Sequence, residues 1–325
     1  MLIAKLLWRI LVATVAAVAV TGANAQAYPA KPIRIVVPFA PGGSADMLAR
    51  LMAQEMGPSL GQSIVVENRT GAAGNIGTSF VAKSEPDGHT LLLAFDGTLA
   101  INPAIYKSLP FDTLRDFAPI TLVARVPIVL IAHPSFPPNN VRELLAYAKR
   151  HPGIDYATAG LGSTTHLAIV LLEQRTGTRF THIAYKGGAQ GAIDVLAGQV
   201  PLLSQGLPGA QPHIRSGKLK AIGITTAKRH PSLPEVGSFA EAGVPDYDVS
   251  LWFGLMAPAG TPKAVIARLH AEAARILSAP EMRTRFQTTI GADAVGNTPD
   301  EFSAEIKKDL ERWAQIVKQS GLIIQ

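Results

Sequence analysis

Residues 33–50 read IRIVVPFAPGGSADMLAR. Ile33 to Pro38 is a short run, apolar and rich in β-branched residues apart from Arg34, and reads as a buried strand. A Pro-Gly-Gly turn breaks it. Ser44 then reads as the N-cap of a helix whose apolar stripe is Met47, Leu48, Leu51, Met52 and Met56, with Gly57-Pro58 as its stop. Strand, glycine turn and capped helix in this order make a βα unit.

The unit recurs along the chain. Ile64 to Glu67 and Thr90 to Phe95 read as strands, with the glycine-rich GAAGNIG (71–77) opening a helix between them. A long β-rich run, Ile120 to His133, is long enough to leave one domain and reach another. Asn140 caps a short helix, with Glu143 completing a capping-box-like pair. The alternation resumes with strand Asp155 to Ala159, helix Ser163 to Thr176, strand His182 to Tyr185 and helix Ala189 to Ala197. Short runs at Val200 to Leu203 and Leu219 to Thr225 follow. The C-terminal part is helical. Thr261-Pro262 opens a helix with Val265, Ile266, Leu269, Ile276 and Leu277 on one face. Thr298 to Glu301 is a capping box before the stripe Phe302, Ile306, Leu310, Trp313 and Val317. The fold class is α/β with mainly parallel sheets.

The chain has 325 residues, 47% hydrophobic and 17% charged, which suits about two globular domains. Its first residues do not belong to the fold. Lys5 and Arg9 precede an apolar run from Ile10 to Val20, and a small-x-small site follows at Ala23-Asn24-Ala25. This is the order of a secretory signal peptide, with cleavage after Ala25 or Ala27. At ~1.5 Å per residue the apolar run is too short to cross a hydrocarbon core of ~30 Å. Its removal lowers the formal charge of +6 by two. The remaining basic residues are scattered, so no nucleic-acid stripe exists. With no cysteine, disulfides and thiolate chemistry are excluded. No HExxH or close His pair marks a metal site, and no cofactor is called for. Export to the bacterial periplasm and a monomeric state are the expectations.

Two motifs are candidates for anion chemistry. In PFAPGGSADMLAR (38–50), the backbone N–H groups of Gly42, Gly43 and Ser44 fall at a helix N-terminus, where the dipole favours negative charge. An ordinary βα turn explains the same residues. ATAGLGSTTHLA (157–168) repeats the geometry with Ser163, Thr164, Thr165 and His166 in the first turn. Either two hydroxyls grip an anion, or one caps the helix while His166 packs on the adjoining strand. Ser163, His166 and Asp194 are also the right residue types for a hydrolase. Residues 161–165, however, read Leu-Gly-Ser-Thr-Thr rather than G-x-S-x-G, and His166 shares a helix with Ser163.

The segments YPAKPIRIVVPFAPGGSADMLAR (28–50), VVENRTGAAGNIGTSFVAKSEPDGHTLLL (65–93), INPAIYKSLPFDTLRDFAPITLVAR (101–125), YATAGLGSTTHLA (156–168), AYKGGAQGAIDVLAGQV (184–200), SGKLKAIGITTAKRHPSLPEV (216–236) and GLMAPAGTPKAVIARL (254–269) occur in an order that resembles the substrate-binding receptors of tripartite tricarboxylate transporters, the Bug family. The resemblance implies a two-lobed type II periplasmic-binding-protein fold, two α/β sheets joined by crossover strands with a ligand cleft between. It sets residues 1–25 as signal peptide, 26–124 as the first part of lobe 1, 125–222 as lobe 2 and 223–325 as the return to lobe 1. It implies a receptor without catalysis that hands a small carboxylate to membrane transporter subunits. The same fold also serves sensor subunits, and a secreted hydrolase using Ser163 is the alternative from another class. Carried onto this chain, the ligand-binding residues are Phe39, Ala40, Gly42, Gly43, Ser44, Ser163, Thr164 and His166, with Asn75 and Thr98 beside them. The chain departs from the family at Pro201, where an acidic residue is common, and at Gly237-Ser238, where Pro-Thr is common.

Overall fold

The computed structural model describes residues 28–320; the signal-peptide reading of residues 1–25 lies outside them. In chain order the strands and helices are β1 (Ile33–Val37), α1 (Ser44–Leu60), β2 (Ile64–Asn68), α2 (Asn75–Ala82), β3 (Thr90–Phe95), α3 (Asn102–Ile105), β4 (Phe117–Ala132), α4 (Val141–Arg150), β5 (Ile154–Thr158), α5 (Thr164–Thr176), β6 (Phe180–Ala184), α6 (Gly188–Leu196), β7 (Leu202–Gly206), α7 (Leu207–Arg215), β8 (Lys220–Ile224), β9 (Ser250–Pro258), α8 (Lys263–Ser278), α9 (Pro280–Arg285), β10 (Asp293–Ala294) and α10 (Pro299–Ser320).

One lobe is built on β2-β1-β3-β9-β4, with β1 parallel to β2 and β3 and with β9 antiparallel to β3 and β4. The other is built on β7-β5-β6, with β5 parallel to both neighbours. β4 belongs to both. It pairs with β9 as far as Pro127, and from Ile128 onward it pairs with β7 and β8. Its apolar run from Val126 to Ala132 is buried throughout, on both faces. Val129 and Ile131 pack into one second-lobe core and Leu130 and Ala132 into another, as period-2 geometry requires. The long run read from sequence as a bridge between domains is this strand.

The return path is tied to β4 by Thr225. Its N–H and its hydroxyl both donate to the Ile128 carbonyl, and the hydroxyl also reaches the Val249 carbonyl just before β9. Between them, Phe239, Val244 and Tyr247 pack with Leu130 and Tyr156.

The caps expected at Asn140, Ser163 and Thr298 form, each side-chain oxygen accepting an N–H from the first turn. Two local readings are corrected. The first helix does not stop at Gly57-Pro58; it runs through Pro58 to Leu60 and ends on Gly61, whose φ of 68° bends the chain back onto the Gly57 and Pro58 carbonyls. Ser44 is not an N-cap either. The helix starts at Ser44 itself, Gly43 holds the cap position, and the Ser44 hydroxyl points elsewhere.

Candidate functional site

The C-terminal ends of β1, β5, β6 and β7 each feed a helix, so four helix N-termini face one cleft between the lobes. A positive potential without any charged side chain follows from this arrangement. An inner cavity of about 50 Å³ sits there, walled by Phe39, Ala40, Gly43 and Ser44 from one lobe and by Thr165, Gly188, Gln205 and Gly206 from the other. Phe95 and Phe253, also on its wall, stack at 5.4 Å, and Phe95 and Phe39 meet edge to face at 5.1 Å. No ionisable side chain lines it. A larger groove of about 1090 Å³, bordered by Lys31, Val65, Ile76 and Phe80, lies along one lobe only and meets none of these helix ends.

The Pro-Gly-Gly turn is shaped by Asp46. This buried carboxylate accepts from the Gly42 N–H at 3.0 Å, Asn68 Nδ2 at 3.0 Å and Arg50 Nε at 2.9 Å, and Asn68 also donates to the Phe39 carbonyl. Burial alone would raise the Asp46 carboxyl; the hydrogen bonds from Arg50, Gly42 and Asn68 outweigh it and hold it below the usual range. The Gly42 amide is therefore engaged within the turn. Gly43 and Ser44 remain on the cavity wall. The Ser44 hydroxyl crosses the cleft, donating to the Gly206 carbonyl at 3.2 Å and accepting the Gly209 N–H at 3.3 Å.

On the opposite lobe the Ser163 hydroxyl is a helix cap. It donates to the Gly160 carbonyl at 2.7 Å, lies 2.9 Å from Thr165 Oγ1 and accepts the His166 N–H. His166 turns inward. Its Nδ1 accepts the Gly162 N–H, and its ring stacks on His182 with centroids 3.9 Å apart. Burial, with His182 adding to it, pushes the His166 imidazole down to about 3, and burial takes His182 to about 4. Both rings are neutral at pH 7. Asp194 accepts from the Tyr185 hydroxyl. Ser163, His166 and Asp194 thus have separate partners and form no catalytic triad. Thr164 is buried beside Asp96, whose carboxyl is pushed well above its usual range by burial. The two groups do not reach hydrogen-bonding geometry.

Asn75 and Thr98 lie behind a tight turn at residues 71–74 and line neither the inner cavity nor the chamber beside it. Asn75 Oδ1 accepts from Asn102 Nδ2, while the Thr98 hydroxyl and Asn102 Nδ2 both donate to the Ala73 carbonyl. These bonds hold Ala72 and Ala73 at φ of 46° and 51°, a left-handed conformation that costs roughly 1–2 kcal/mol per residue. Strain of this kind persists where surrounding contacts enforce it, commonly at binding sites. The turn forms one wall of a second chamber of about 180 Å³, which shares Phe39 and Ala159 with the inner cavity.

Of the residues proposed from sequence, Phe39, Ala40, Gly43 and Ser44 meet in the inner cavity; Gly42, Asn75, Thr98, Ser163, Thr164 and His166 stand behind its walls. Thr165 lines it in their place. Gln205 was not proposed. It is 4% exposed, and its Nε2 has no hydrogen-bond partner among the described residues. The one sequence signal nearby is the departure at Pro201, just ahead of the strand Leu202–Gly206 that carries Gln205.

Residues 48–322 match the model of the tripartite tricarboxylate transporter family receptor. The chain belongs to that family. It is 39% identical to Protein BugT of Bordetella pertussis over 300 residues, 92% of each chain. Among solved structures, an R. palustris protein with adipate aligns with a TM-score of 0.88 at 36% identity, covering 90% of this chain and 98% of that one. MatC from Rhodopseudomonas palustris, with bound malate, aligns with a TM-score of 0.83 at 34% identity, covering 89% and 100%. Family membership accounts for the two-lobed architecture. Among the described residues no helix is long and apolar enough to cross a membrane.

Proposed function

We propose that this protein is an exported solute-binding receptor that closes its lobes on a small carboxylate in the periplasm and delivers it to a membrane transporter without chemical change. The observation that carries the reading is the inner cavity. Its walls hold no charged side chain, yet helix N-termini converge on it and a buried amide donor, Gln205 Nε2, has no partner among the described residues. A buried donor left unpaired costs about 1–3 kcal/mol, which a carboxylate oxygen placed there would recover. Relatives solved with adipate and malate support the ligand class.

We take lobe 2 as residues 128–249, flanked by the two parts of lobe 1. Pairing of β4 changes partner at Pro127–Ile128, and Phe239, Val244 and Tyr247 pack in the second-lobe core, which supports a return at Ser250 rather than at 223. Calorimetry with adipate and malate tests the function. Saturable one-to-one binding with the ligand recovered unchanged is expected, and Gln205→Leu should weaken it roughly tenfold or more. Consumption of the ligand, or full affinity in folded Gln205→Leu, would count against the reading.

A further inference from the structure

We propose that closure of the lobes is coupled to a proton: the carboxyl of Asp96 is buried and neutral when the lobes close and ionised when they part, so that ligand binding takes up a proton. This rests on the receptor reading above and adds a pH-dependent control to it.

Asp96 directly follows β3 in the first lobe and is fully buried. Its cover comes from the second lobe, at the start of α5. Thr164 is fully buried beside it. A Cβ on Gly162 would collide with the side chain of Ile105 in α3, and Leu167 and Ala168 join one core with Ile101 and Ile105. The first turn of α5 continues from β5, a second-lobe strand, so it travels with that lobe.

Nothing in this seam suits a charge. Neither Asp96 oxygen has a hydrogen-bond partner among the described residues, and neither does Thr164 Oγ1. The main-chain N–H groups of Gly97 and, from β9, Trp252 lie toward the carboxyl without reaching hydrogen-bonding geometry. From α10 the group that acts on it is a second carboxylate, Asp309, which accepts from Trp252 Nε1 at 2.6 Å. Glu305, beside Asp309, is paired with Arg125. From α5 only Thr164 faces it, because His166 is turned to His182. No cation is among the groups that act on Asp96, and burial, with Asp309 adding to it, raises the carboxyl well above its usual range. A protonated carboxyl has an O–H to donate, and Thr164 Oγ1 across the seam is an unpaired acceptor. Parting the lobes withdraws Thr164 and admits water, which returns the carboxyl toward its ordinary value of ~4.

The closed form therefore binds the proton more tightly than the open form. Ligand affinity is greatest at low pH and falls as pH rises from the open-form value through the closed-form one, by at most about tenfold per pH unit for one proton.

Calorimetry with adipate, in buffers of different ionisation enthalpy at intervals from about pH 6 to 8, tests this; carboxylic acids of ordinary pKa are already ionised there. The parent should take up a proton on binding, and its Kd should rise at least about threefold across the range. Asp96→Asn keeps the shape of the neutral carboxyl. It should lose the uptake and hold one Kd throughout. Parental proton uptake in folded Asp96→Asn would assign the proton to another group and overturn the inference. A parent that binds adipate with no proton uptake at any of these pH values would overturn it without need of the variant, and would leave the receptor reading standing. A folded parent that binds neither adipate nor malate removes the receptor reading and this inference together.

Discussion

Gly42 has φ of 85° and Gly43 has φ of −85°, so only the first needs to be glycine on conformational grounds. A Cβ on Gly42 meets nothing closer than Ala189 at 3.7 Å, and on Gly43 nothing closer than the Ala40 carbonyl at 4.0 Å. Gly42→Ala should therefore lose roughly 1–2 kcal/mol of stability through backbone strain alone. Gly43→Val should fold with near-parental stability and bind poorly, because Gly43 lines the inner cavity. Urea unfolding beside adipate titration separates the two effects. A Gly43→Val protein that is folded and binds adipate with parental affinity would remove this glycine from the site. Only Gly42, whose amide Asp46 already holds, has a dihedral that favours glycine.

At the scale of elements, the start of α5 carries a pH signature. His166 and His182 stack in its packing against β6, with values pushed down by burial to about 3 and about 4. An unfolded chain binds a proton on each near pH ~6.5. The unfolded state therefore holds the extra protons between those values and pH 6.5, so the stability they contribute is complete above about pH 6.5 and lost as pH falls through that window. Each proton contributes at most about 1.4 kcal/mol per pH unit. The melting temperature of the parent should drop on going from pH 7 to pH 5, before most carboxylates titrate. His166→Gln should show a shallower drop over the same range. Equal slopes in the two proteins would mean that His166 takes up its proton in the folded state.

For the whole molecule, the chain passes between the lobes where β4 crosses at Pro127–Ile128 and where the return path meets it at Thr225, so this crossing is the expected pivot for closure. Beside that crossing, Ser44 joins the lobes through Gly206, which pairs with Ile128, and through Gly209. Ligand should favour the joined form, because only that form brings both walls of the cleft to it. Solution scattering should show a smaller radius of gyration when adipate is added. At one fixed, sub-saturating adipate concentration Ser44→Ala should compact less than the parent, since Gly206 and Gly209 lose their partner across the cleft. Compaction equal to the parent's in folded Ser44→Ala would assign closure to other contacts.

The sequence by itself determined what local physics controls. Apolar runs marked the strands, and Asn140, Ser163 and Thr298 capped their helices as side chains within one turn of the groups they serve. Glycine turns before helices located two of the four helix ends that face the cleft. The tertiary structure decided what depends on distant neighbours. Ser44 looks like a cap until Gly206, 162 residues away, takes its hydrogen bond. Ser163 and Thr165 carry the same kind of hydroxyl two residues apart, and only helix orientation puts Thr165 on the cavity wall. Gln205 sits in an ordinary strand, and its unpaired amide becomes meaningful only when β1 and α1 arrive opposite it. Short-range periodicity reports which face of an element is buried; which buried face becomes a binding wall is set by contacts between lobes, and those have no local signature.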